Sequence, residues 1–102
     1  MVRWFVVWKN TQLYWALPDE ERLKIVEASA QRLKAGMEAG LIKDWAMKAD
    51  SSGGYMIVEG TETQLFETVM PTSKYVSCEG TAVISLSSFL EALDKRKAAI
   101  GK

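Results

Sequence analysis

Arg3, Asp44, Tyr55, Glu59, Tyr75 and Glu79 are the side chains best suited to do chemistry in this sequence. Together they offer one guanidinium, two phenols and three carboxylates. A carboxylate in an apolar cavity has its pKa raised enough to serve as general acid or base. A guanidinium in the same place anchors an acidic ligand. Each group also has a simpler reading. Antiparallel pairing sets Arg3 opposite Glu59 as a cross-strand ion pair, and carboxylates at strand ends are usually just solvated. Two more aromatics, Tyr14 and Trp15, fall in the connection "NTQLYWAL", where large rings need a reason. They either lid a cavity mouth or pack over a sheet edge. The expected ligand-binding set is therefore Arg3, Tyr14, Trp15, Tyr55, Glu59, Tyr75 and Glu79. No residue stands out as catalytic.

The residue types that are missing exclude more than those present. There is no histidine, which rules out imidazole triads and dyads, His-ligated haem and His-containing zinc sites. The single cysteine, Cys78, makes neither an intrachain disulfide nor a thiolate metal cluster. No metal and no cofactor is expected. Any catalysis falls to carboxylates, Tyr, Lys, Arg, Cys78 or an organic cofactor. Cys78 itself reads as a small buried hydrophobe, because "SCEG" supplies no positive surroundings for a thiolate. "DSSGG" lacks the following helix and the lysine of a phosphate loop. Thirteen basic and thirteen acidic residues cancel, and without a basic run no nucleic-acid partner is expected. No apolar run approaches the roughly 20 residues that span a bilayer, so no membrane partner is expected. With no signal-peptide pattern, a cytoplasmic location is the default expectation.

The elements that must position these groups follow from periodicity. The 102 residues allow one domain, 1–102. Val2–Lys9 predicts a strand rich in β-branched and aromatic residues. Pro18 suits the first position of a helix with Asp19, Glu20 and Glu21 in its first turn. Leu23, Val26, Ala30, Leu33 and Met37 form its apolar stripe, and Gly40 its stop. Leu41–Lys48 and Tyr55–Glu59 predict a hairpin across "ADSSGG". Thr61 with Gln64 forms a capping box for a short helix ended by Pro71. Tyr75–Leu86 predicts a long strand, bulged at Gly80. A second capping box, Ser88 with Glu91, predicts a last helix through Phe89, Leu90 and Leu93. Lys95, Arg96 and Lys97 then complement the negative end of its dipole.

The order β-α-β-β-α-β-α predicts an α+β, ferredoxin-like sheet with strand order 4-1-3-2 and a C-terminal helix. Alternation along the strands places Val76 and Cys78 beneath the helices. It leaves Phe5, Val7, Ile42, Tyr55, Ile57 and Tyr75 on the open face. An apolar face of that size calls for a second copy, so a homodimer is expected. With the start "VRWFVVW", the turn and strand "SSGGYMIVEG" and the end "ISLSSFLEALDK", the chain resembles the dimeric α+β barrel superfamily. Within that group it is similar to the small members whose role is unassigned. The resemblance implies two ferredoxin-like protomers packed sheet to sheet, with a ligand cavity between sheet and helices or within the barrel. It transfers no catalytic residue. The expected function is binding of a small apolar or aromatic molecule. The alternatives are a cofactor-independent monooxygenase or isomerase, and a protein-interaction module with no ligand.

Overall fold

Val2–Asn10 forms β1, and its alternating side chains divide the molecule into two faces. The computed structural model describes residues 2–101, apart from the side chain of Thr72. β1 is joined by β2 (Ile42–Met47), β3 (Gly53–Gly60) and β4 (Val76–Val83) in one antiparallel sheet of order β2-β3-β1-β4. Taken from the other edge, this is the order the sequence predicts. Arg3 stands opposite Glu59 on one side and Val83 on the other; Trp8 stands opposite Gly54 and Cys78.

Among the described residues four α-helices accompany the sheet: α1 (Gln12–Trp15), α2 (Asp19–Glu38), α3 (Glu62–Val69) and α4 (Leu86–Ile100), with a 3-10 turn at Met70–Thr72. The one-turn α1 lies where the sequence predicts only a connection; the Thr11 side chain caps it by accepting from the Tyr14 N–H. Pro18 is the cap of α2 rather than its first residue. Gly40, at φ +78°, closes α2 in a Schellman arrangement. The Leu41 N–H donates to the Gly36 carbonyl and the Gly40 N–H to that of Met37. The capping box of α3 has both halves, Gln64 N–H to Thr61 and Thr61 N–H to Gln64. Ser85, not Ser88, caps α4, and β4 stops at Val83.

Val6, Trp8, Ile42, Met56 and Val58 are buried on the helix face. Leu33, Leu65, Val69 and Cys78 pack against this cluster. The predicted bulge at Gly80 is absent: β4 runs in unbroken register past Val6. The irregularity falls in β2 instead, between Ile42 and Asp44. That extra residue shifts the alternation, so Ile42 joins Trp45 beneath the helices. It is 3% exposed and does not belong to the open face.

The small residues of β3 let the strands close. A Cβ on Gly54 would run into the Ala46 carbonyl oxygen. At Gly80 it would meet only the Leu65 and Val6 side chains, at 3.4 and 3.8 Å. Gly54→Ala is therefore expected to cost more than about 2 kcal/mol in urea unfolding, because backbone must move. Gly80→Ala is expected to stay within about 1 kcal/mol of the native chain.

Candidate functional site

Beneath α2 and α3 lies a cavity of about 650 Å³. Its floor is the helix face of the sheet. Trp8 and Trp45 come from neighbouring regions of that face and stack, ring centroids 5.5 Å apart and planes within 13°. Both line the cavity, with Met56 and Cys78 from the sheet, Ile25, Val26 and Leu33 from α2, and Val69 from α3. Polar side chains also reach it, Glu67 among them, and several are engaged within the chain. The Asn10 side-chain amide donates to the Ser51 carbonyl at 2.7 Å. The Thr68 hydroxyl donates to the Gln64 carbonyl at 2.8 Å. The Arg32 guanidinium donates to the Ser29 hydroxyl at 3.3 Å. Among the described residues the indole N–H groups of Trp4 and Trp8 are buried with no acceptor, each a cost of about 1–3 kcal/mol. The combination favours an apolar, flat guest over a charged one.

The open face is chemically different. Arg3 and Glu59 form the cross-strand ion pair, Nη2 to Oε2 at 2.9 Å. Because Arg3 is well exposed, such a pair contributes at most about 1 kcal/mol. Tyr55 donates its hydroxyl to Asp44 at 2.7 Å and stacks on Phe5, centroids 5.8 Å apart. The hydrogen bond and the charge of Asp44 push the Tyr55 phenol pKa up, which leaves it a proton holder rather than a phenolate. Glu79 is exposed opposite Val7.

The expected ligand-binding residues thus fall in separate places. Tyr14 reaches the cavity wall. Trp15, its neighbour, is 45% exposed, set edge-on to Tyr14 and beneath the Arg22 guanidinium. Arg3, Tyr55, Glu59 and Glu79 lie on the opposite face of the sheet. Tyr75 sits one residue before β4, with the Lys74 ammonium over its ring. The residues that do gather round the cavity, Trp8, Trp45 and Arg32 among them, were not singled out for binding from sequence. Their signal is weak, because a tryptophan on a strand packs into a core as readily as it lines a cavity, and one arginine on a helix carries no motif.

In the β2–β3 turn, hydrogen bonds from the Ser52 hydroxyl and N–H hold the Asp50 carboxyl below the usual carboxylate range. Cys78 stands on the cavity side of β4, as its alternation predicts. Burial pushes its thiol pKa up, so the neutral thiol prevails at pH 7. Native chain at that pH is expected to react with a thiol reagent at least about tenfold more slowly than urea-unfolded chain. Its rate should keep rising with pH above the ordinary thiol range. Rapid stoichiometric labelling of native chain contradicts this environment.

No protein-family model matches the chain, and no curated protein matches it either.

Proposed function

We propose that the chain binds a small apolar or aromatic molecule in the cavity beneath α2 and α3. The observation that carries this reading is the stacked pair Trp8 and Trp45 on the wall of an apolar hollow. Ligand sites commonly measure about 300–1,000 Å³, with mostly apolar walls and a few orienting polar groups. At about 650 Å³ this cavity falls within that range. Tyr14 stands at its wall on the short α1, held to the rest of the chain through the Thr11 hydrogen bonds to residues 74 and 75.

A second reading concerns assembly. Phe5 and Val7 are exposed on the open face, beside Tyr55 and Ile57. Packing of two such faces would give a homodimer of the dimeric α+β barrel kind. It is compatible with ligand binding, because the cavity opens on the other face of the sheet.

Titration with 8-anilinonaphthalene-1-sulfonate at pH 7 tests the binding site. The expected result is saturable binding of one probe per chain, with quenching of tryptophan fluorescence. Trp15→Phe should retain most of that quenching, while the Trp8→Phe/Trp45→Phe double variant should lose most of it. Thr68→Trp fills the cavity from α3; it should weaken binding at least about tenfold, or about 1.4 kcal/mol, with an unchanged far-ultraviolet spectrum. Binding that does not saturate, or that ignores Thr68→Trp, contradicts the site.

A further inference from the structure

α4 is a helix without a partner in its own chain. Every residue from Leu86 to Ile100 is exposed. Leu86, Leu90, Leu93 and Ile100 nevertheless repeat at helical spacing, the pattern of a face meant for burial. Only Ile84 and Ser85 join α4 to β4. The molecule measures 65 × 25 × 23 Å, and its radius of gyration is 17.4 Å. A compact chain of 100 residues has a radius near 13 Å.

α2 carries the complementary defect. It turns Ile25, Ser29, Leu33 and Gly36 inward, and Gly36 lets Ile42 approach closely. The stripe Leu23, Val26, Ala30, Leu33 and Met37 lies to one flank. Of these, only Leu33 is half-buried; the other four are exposed. The middle of this stripe forms one lip of the cavity.

We infer that α4 of a second copy of this chain lies antiparallel along α2 and closes the mouth of the cavity. The spacings match in that direction at five positions, four of them apolar on both helices. Met37 meets Leu86, Leu33 meets Leu90, Ala30 meets Leu93, Val26 meets the Lys97 stem, and Leu23 meets Ile100. This is the layering of antiparallel helices at small crossing angles. The surface is sufficient. The chain exposes 7461 Å², against about 5,800 Å² for a compact monomer of its mass. The excess is larger than the roughly 800 Å² per partner that a standard interface buries. The inference rests on the same groove as the proposed binding site, though not on its holding a ligand.

Disulfide trapping tests it in ligand-free protein. Two chains are made on a Cys78→Ala background, one carrying Ala30→Cys and the other Leu93→Cys, then mixed and oxidised. The expected product is a covalent heterodimer in most chains. Adding Leu90→Glu to the second chain should reduce trapping at least tenfold without altering the far-ultraviolet spectrum, because Leu90 is exposed in its own chain. Phe5→Lys should leave trapping intact, since the open sheet face takes no part in this helix contact. Trapping between Val26→Cys and Leu86→Cys chains instead, as a parallel seating gives, overturns the inference. So does an internal disulfide in the Ala30→Cys/Leu93→Cys double variant, which places α4 on its own α2. Absence of any trapping also overturns it. Loss of probe binding with trapping intact would count against the ligand alone.

Discussion

β1 is hydrogen-bonded along both edges, to β3 over Val2–Lys9 and to β4 over Arg3–Asn10, and each other element takes its place from that double pairing. The pairing fixes which side chains look toward the helices. Trp4, Val6 and Trp8 do so; Arg3, Phe5, Val7 and Lys9 look the other way. It also sets large residues beside small ones. Val6 lies between Met56 and Gly80, and Trp8 between Gly54 and Cys78. The Trp8 ring therefore has room to stack on Trp45. A slip of one residue would invert both faces at once, and the cavity wall would become solvent-facing.

The same arrangement leaves the core small. Among the described residues, five large apolar side chains are buried and seventeen are exposed. A domain of this length already hides only about 60–65% of its unfolded surface, so exposed apolar area is a serious cost. Ten of the seventeen gather in three places. Leu23, Val26 and Met37 lie along α2, Leu86 to Ile100 along α4, and Phe5 with Val7 on the open sheet face. Each is a stripe or patch with the periodicity of a buried surface. The cavity, the unpartnered α4 and the flank of α2 are in this sense one feature: a helix layer that the chain begins and a second copy would complete.

Much of this was legible from sequence, for local reasons. The capping box of α3 needs only Thr61 and Gln64, three residues apart. Gly40 ends α2 because few other residues adopt its backbone angle. The strand order followed from the alternation of elements. What failed was whatever depends on a neighbour. One extra residue in β2 moved Ile42 to the other face, and period-two reasoning cannot see such an insertion. The cap of α4 was assigned to Ser88 when Ser85 holds it, because serines at 85, 87 and 88 offer the same local chemistry. The stripe on α2 was correctly spaced, but spacing does not say which surface it meets. Nothing in the sequence marks Trp8 and Trp45 as cavity residues, because a cavity is a property of the gap between elements, not of any residue in the chain.

The central claim is that this fold is completed by a second copy, and equilibrium unfolding in urea at a series of protein concentrations tests it most directly. Stability drawn from association grows with concentration. A hundredfold increase in protein should raise the urea midpoint by on the order of 1 M. A midpoint unchanged across that range would mean that the single chain is stable with its apolar stripes exposed, and would contradict the account.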